Sequence, residues 1–363
     1  MTTNKKKKED EIIRLSGDIE SVGNGRISIR FNPTCSNIVM NRCIRQFGSI
    51  IHSIDFNNNP NAKRETILLM IRFGISNNTN CDIRTLNLKY KVTDISFLIN
   101  LTNLHALNLS RTNVTDISSL INLTNLRRLN LSRTQVSDII SLSNLINLRE
   151  LHLSNTPVSD ISSLSNLNNL RELYLTKAVV DPISSLINLT NLRILHLSNC
   201  DVTDICHLIN LRILYLYGDQ FTDISSLINL TNLRILHIFG TSVTDISSLI
   251  NLTNLRSLDL SCTKVSDISS LINLTNLRSL NLSSTKVSDI SSLSNLTNLR
   301  SLNLSSTKVS DISSLSNLTN LRELDLSFSD VSDISSLINL TNLQLVGEVT
   351  IWYYEREALR YGE

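Results

Sequence analysis

Between residues 150 and 239 ring-bearing side chains recur at a regular interval. They are His152, Tyr174, His196, Tyr215 and His237, with Tyr217 and Phe239 following two residues after Tyr215 and His237. Two residues before each member of that series stands Glu150, Glu172, Ile194, Ile213 or Ile235. Three of the six histidines and three of the seven tyrosines fall in this one stripe, which makes it the first place to look for chemistry. Imidazoles can ligate a metal, and clustered aromatic and aliphatic side chains on a rigid surface form a docking hot spot. If successive copies lie side by side as strands ~4.8 Å apart, His152, His196 and His237 stand on alternate rungs, roughly 10 Å from one another. Zinc needs its ligands at about 2.0–2.1 Å from one centre, so shared ligation is not expected. Cys200, Cys206 and His207 are closer in sequence, but no second Cys/His pair completes a site, and both cysteines read as small buried residues. Docking of a partner therefore outranks metal binding, and no cofactor is expected. Simple stacking of rings between rungs is the competing structural reading. It leaves Ile194, Ile213 and Ile235 as an unexplained apolar patch.

Arginine supplies a second pattern. Arg127, Arg149, Arg171, Arg193, Arg212, Arg234, Arg256, Arg278, Arg300 and Arg322 occupy equivalent places in ten successive copies. With Lys264, Lys286 and Lys308 they could track a phosphate backbone. The formal net charge is only +2, and the aromatic residues lie in a different column from the arginines, whereas single-stranded nucleic acid needs both together. A solvated ladder whose stems cover leucines is the preferred reading, and phosphate or nucleic-acid binding is the alternative function. Catalysis finds no support. No nucleophile, base and orienting group are assembled, and the nine glycines form no phosphate-cradling loop.

Both patterns exist because the chain repeats. Eleven copies of one unit run from Leu101 to Asn339, and Leu296 to Asn317 is a clean example of 22 residues. Such a unit cannot bury its own apolar side and must stack on its neighbours. Numbered from its first leucine, the copy has apolar residues at positions 1, 4, 7, 9, 14, 17 and 20: Leu296, Leu299, Leu302, Leu304, Val309, Ile312 and Leu315. The alternation at 7 and 9 predicts a short strand with one buried face, and positions 6, 8 and 10 point outward. Parallel strands need a crossover, and the remaining residues hold a 3₁₀ turn rather than a three-turn α-helix.

The turn begins at Val-(Ser/Thr)-Asp-Ile-Ser-Ser-Leu. Ser310 or Thr115 is the expected N-cap, with Asp311 or Asp116 in the first turn near free N–H groups. Pro182 in one copy puts Asp181 in the capping place. Position 12 is Thr in most copies (Thr112, Thr134, Thr156, Thr241, Thr263, Thr285, Thr307), with Cys200 and Ser329 in two others. A small hydroxyl there is expected to bond backbone groups of its own and the neighbouring loop. The copy Leu211 to Asn229 is three residues short, and the missing Leu-Thr-Asn is assigned to the place before position 4.

The pattern L-x-x-L-x-x-L-x-L-x-x-T-x-V-(S/T)-D-I-S-S-L, carried by about residues 101–343, resembles the short leucine-rich repeats of the internalin and phosphatase-regulator type. That resemblance implies an α/β solenoid, a horseshoe with a concave parallel β-sheet and 3₁₀ turns or loops on the convex side. Family members usually carry Asn at position 12 where this chain has Thr. They bind many unrelated proteins, so the resemblance speaks to fold more than to function.

The full expectation is one right-handed solenoid of roughly fourteen strands. Residues 1–24 form a flexible charged tail, 25–100 degenerate capping repeats, 101–343 the solenoid and 344–363 a C-terminal cap containing Trp352. Ile27–Phe31, the stretch from Ile51 and the stretch from Ile83 are candidate strands, and Glu65–Phe73 is a candidate helix. The six cysteines form no regular framework, and the lysine run Lys5–Lys8 lacks a following apolar region. Nine junctions read Asn-Leu-Thr, and a eukaryotic secretory route would risk glycans on the inner strands. A cytoplasmic, monomeric, non-enzymatic scaffold follows, with no membrane segment and with Lys5–Lys8 as a nuclear-import alternative. Its protein partner is expected on the concave face, at Glu150, His152, Glu172, Tyr174, Ile194, His196, Ile213, Tyr215, Tyr217, Ile235, His237 and Phe239.

Overall fold

A computed structural model describes residues 17–23, 26–31, 51–55, 83–88, 92–178, 183–198 and 203–346. Contacts divide the chain into two units, residues 1–185 and 186–363. From Thr85 onward strands alternate with 3₁₀ turns in each unit, and no α-helix occurs among the described residues.

The first unit holds β1 (Gly17–Gly23), β2 (Arg26–Phe31), β3 (Ile51–Asp55), β4 (Thr85–Asn87), β5 (Ala106–Asn108), β6 (Arg128–Asn130), β7 (Glu150–His152) and β8 (Glu172–Tyr174). From β2 onward neighbours pair in parallel. β1 instead pairs antiparallel with β2, with Gly23 opposite Arg26. Residues 17–23 are therefore strand and not part of a flexible tail. The intervening Asn24-Gly25 is the pair that two-residue hairpin turns favour, a signal the reading of a tail overlooked. Glu65–Phe73, Cys200, Asp181 and Trp352 lie outside the described residues.

The second unit holds β9 (Ile194–Ser198), β10 (Ile213–Tyr217), β11 (Ile235–Phe239), β12 (Ser257–Asp259), β13 (Ser279–Asn281), β14 (Ser301–Asn303), β15 (Glu323–Asp325) and β16 (Gln344–Val346). All pair in parallel with leucine opposite leucine, as in Leu258, Leu280 and Leu302. The described residues hold sixteen strands against the roughly fourteen expected, the hairpin strand β1 and the terminal strand β16 being the additions. In the rung from Leu296 all seven apolar positions are at most 2% exposed. Each such leucine contributes about 1.5–3 kcal/mol by leaving water, which is what holds a rung too short to fold alone.

Hydrogen bonds refine the turn chemistry. Asp311 Oδ1 accepts the Ser313 N–H at 2.8 Å, and Asp116 accepts that of Ser118 at the same distance. Ile312 and Ile117 hold the N-cap position, and the side chain that satisfies the first free N–H is that of the preceding aspartate, not of Ser310 or Thr115. The 3₁₀ turn starts at Ser313 or Ser118, and only the aspartate stands two residues before that free donor. At position 12 the hydroxyl bonds its own rung: Thr285 Oγ1 donates to the Leu282 carbonyl at 2.7 Å and Thr307 Oγ1 to that of Leu304 at 2.6 Å. Thr241 is the exception, its buried Oγ1 having no partner.

Position 11 is left-handed in every rung where it is described. Arg111, Arg133, Asn155, Lys177, Cys262, Ser284, Ser306 and Phe328 have φ between 55° and 62°, and Gly218 and Gly240 have φ of 113° and 62°. The chain must reverse here, immediately after the strand. Only two rungs use glycine, the residue that adopts this conformation at least cost.

Candidate functional site

The strand register aligns the outward residues of β9–β11 into three rows. Ile194, Ile213 and Ile235 form the first, His196, Tyr215 and His237 the second, and Ser198, Tyr217 and Phe239 the third. Buried Leu195, Leu214 and Leu236, with Leu197, Leu216 and Ile238, anchor the same strands from behind. These are five-residue strands, whereas β12–β15 have three residues. In β12–β15 position 8 is Asp or Asn, and its side chain turns back onto the N–H two residues later. Asp259 accepts from Ser261 at 2.8 Å and Asn303 from Ser305 at 2.8 Å. A ring at position 8 cannot do this, and in β9–β11 the ladder continues to position 10. The missing side-chain turn permits the extension without forcing it: β7 and β8 carry rings there and still stop at three residues.

The rings make one contiguous cluster. His196 and Tyr215 stack with centroids 4.1 Å apart and planes at 26°. Tyr215 meets His237 edge-on with centroids 4.7 Å apart, and Tyr217 near-parallel at 5.9 Å with planes at 19°. Tyr215 thus stands between His196 and His237, so the two imidazoles do not face a common centre. Burial pushes the His237 pKa down, against a smaller upward pull from Asp259. The Tyr217 hydroxyl is pushed up, first by burial and then by Tyr215 and Asp259. Both rings are therefore neutral near pH 7 and suited to apolar contact. The isoleucines are half-buried rather than fully solvated, while Phe239 is 46% exposed.

In the first unit the four predicted residues form their own cluster. His152 stacks on Tyr174 with centroids 4.1 Å apart and planes within 3°. His152 Nε2 lies 2.7 Å from Glu150 Oε1, and the Tyr174 hydroxyl donates to Glu172 Oε2 at 3.0 Å. The two carboxylates are thus committed to these rings. They also line a groove of about 440 Å³ beside Arg127, Arg128, Arg149 and Arg171. Their charge is answered locally, which weakens their expected role in selecting a basic partner.

Cys206 is half-buried and Cys262 exposed, both as free thiols, so Cys206 is not the fully buried residue expected from its place in the turn. The short copy packs differently from its sequence alignment. Asn210 Nδ2 donates to the Thr190 carbonyl, and Asn232 Nδ2 donates to that of Ile209. These are the bonds that position 3 makes to position 2 of the preceding rung elsewhere, as from Asn254 to Thr231. Leu208-Ile209-Asn210 therefore occupy the Leu-Thr-Asn place, and the three-residue deletion falls in the preceding turn, Thr203–His207.

That asparagine row is a surface feature that sequence reasoning missed. The invariant Asn of Leu-Thr-Asn-Leu was its visible signal, but the side chain's partner lies 23 residues away in most rungs.

Family profiles match three stretches. One described as a leucine-rich repeat region covers residues 198–360, a pair of leucine-rich repeats covers 146–188, and a single repeat covers 188–205. No curated protein matches the chain. Among solved structures an internalin (InlF) of Listeria monocytogenes is 35% identical, covering 70% of this chain and 83% of its own, with a TM-score of 0.64. A repeat protein of Leptospira interrogans is 19% identical over 93% of this chain and 98% of its own, with a TM-score of 0.66. The functional domain of InlJ from Listeria monocytogenes is 21% identical over 71% and 52%, with a TM-score of 0.53.

Proposed function

The chain belongs to the leucine-rich repeat family, and on that premise we propose that it is a non-enzymatic scaffold that docks a protein partner on the outward rings of β9–β11. Leucine-rich repeat proteins are typically binding scaffolds. The observation that carries the finer reading is the ring cluster itself: His196, Tyr215 and His237 in mutual contact, with Tyr217 and half-exposed Phe239 beside them. Rings already held by stacking and by a continuous backbone ladder lose little freedom on docking. Large aromatic side chains carry most of a typical interface, so Tyr215, Tyr217 and Phe239 dominate.

The test compares partners recovered on the intact protein with those recovered on a Tyr215→Ala, Tyr217→Ala, Phe239→Ala variant. Loss of one discrete partner from the variant supports the site. Equal recovery by both, together with a block by Ser279→Arg or Ser301→Arg, moves the site to the later rungs and overturns the reading.

A further inference from the structure

The arginine column of the second unit has a geometry that its sequence did not reveal. Consecutive arginines are joined through the backbone. The N–H of Arg212 donates to the Arg193 carbonyl at 2.8 Å, and Arg234, Arg256, Arg278 and Arg300 repeat that bond at 2.8 Å. The guanidinium stems are thus spaced by the strand separation, ~4.8 Å, and every one of these side chains is exposed. Alongside runs the asparagine row, and between the two rows lies a groove. One stretch of about 260 Å³ is lined by Arg193, Arg212 and Arg234 with asparagines, and a second of about 360 Å³ continues it past Arg256 and Arg278.

The lining contains only arginine and asparagine. Position 6, which borders the arginines, is uncharged from Ile194 through Ile213, Ile235, Ser257 and Ser279 to Ser301. Among the described residues no ion pair is formed by Arg193, Arg212, Arg234, Arg256, Arg278 or Arg300. The first unit differs, because there Glu150 and Glu172 stand among the arginines. A ladder of unanswered cations at this spacing repels itself, and an anionic polymer laid along it relieves that repulsion.

The asparagines narrow the class of polymer. Asn210, Asn232, Asn254, Asn276 and Asn298 each use Nδ2 on the carbonyl of the preceding rung, at 2.8–2.9 Å. Their Oδ1 atoms point the other way as acceptors, suited to hydroxyl donors. A ligand matching both rows carries repeated anions for the arginines and repeated hydroxyls for the amides. We propose that this groove binds a linear anionic polysaccharide, with about one sulfate or carboxylate per rung. The groove has no aromatic platform on which bases could stack, as single-stranded nucleic acid requires. An extended acidic peptide presents same-face carboxylates every second residue, at ~6.8 Å, and drifts out of step with rungs at ~4.8 Å.

The test titrates heparin oligosaccharide into the full chain, into Arg212→Gln/Arg234→Gln/Arg256→Gln, and into Lys264→Gln/Lys286→Gln/Lys308→Gln, which removes the same charge elsewhere. The arginine variant is expected to bind about tenfold weaker or worse, the lysine variant within about twofold of the parent, and affinity to fall with salt. Equal loss in both variants reduces the effect to general charge and overturns the site. Tighter binding of single-stranded RNA or polyglutamate at equal charge overturns the polysaccharide assignment. A measurement on the unaltered protein guards against misfolding of the variant. Bound heparin must slow phenylglyoxal modification of Arg212, Arg234 and Arg256 relative to Arg133, and unchanged rates overturn the proposal. Since Tyr215, Tyr217 and Phe239 are outside the groove, the result is independent of the protein-docking site.

Discussion

Asn232 donates its side-chain Nδ2 to the backbone carbonyl of Ile209 at 2.9 Å. That one bond shows how a repeat with three residues fewer keeps its place in the stack. The asparagine-to-carbonyl bond is conserved from rung to rung in this chain, so the missing length is absorbed where no such bond is made, in the turn Thr203–His207. Asn232→Ala should lower stability by about 0.5–1 kcal/mol, because the carbonyl it leaves is exposed and regains water. Chemical denaturation measures this, and a loss well above that range would mean the bond holds the short rung in register.

The serine column at position 19 supports a prediction with two signs. Ser292 Oγ donates to the Ile268 carbonyl at 3.1 Å, and Ser248 Oγ to that of Ile224 at 2.9 Å. The equally buried Oγ of Ser270 has no partner. Ser292→Ala should cost about 0.5–1.5 kcal/mol, whereas Ser270→Ala should be neutral or stabilising. Denaturant midpoints of the two variants should fall on opposite sides of the parent, or Ser270 on top of it.

The capping aspartates make the fold acid-sensitive. Asp116, Asp160, Asp245, Asp289, Asp311 and Asp333 are all held below the ordinary carboxylate pKa, first by the backbone N–H of the serine two residues on and then by its hydroxyl. A lowered folded-state pKa means that the unfolded chain takes up protons first. The stabilisation is complete above the unfolded value of about 3.9 and is lost as pH falls from there through the folded values. Thermal midpoints should therefore drop below about pH 4, and less so in a variant with Asn at all six positions, since Asn caps without titrating.

Phe328 occupies the left-handed position with φ 57° while 76% exposed. Its ring gains little from burial and its backbone is strained. Phe328→Asn should raise stability by about 1 kcal/mol, the relief of a bulky side chain in that conformation. Gly240, at the equivalent place with φ 62°, has nothing within 4 Å of where a Cβ would stand, so Gly240→Asn should cost up to about 1 kcal/mol, from the left-handed backbone alone.

The period by itself determined the rung. Leu296, Leu299, Leu302, Leu304, Val309, Ile312 and Leu315 are the residues the pattern selects, and all are buried. Their burial depends only on chemical type and local spacing, which every copy contains. The outward alignment of His196, Tyr215 and His237 was legible for the same reason, because identical rungs in register place equal positions side by side. The tertiary structure alone decided which hydrogen bonds those rungs exchange. It chose Asp311 over Ser310 as the acceptor for the turn's first N–H, moved the deletion ahead of Leu208, left Ser270 unpartnered where Ser292 is bonded, and cleared the arginine groove of carboxylates. Most of these depend on an angle or on an atom one whole rung away. A hydrophobic pattern ranks which side chains leave water, but it carries no information on where a donor finds its acceptor once they have.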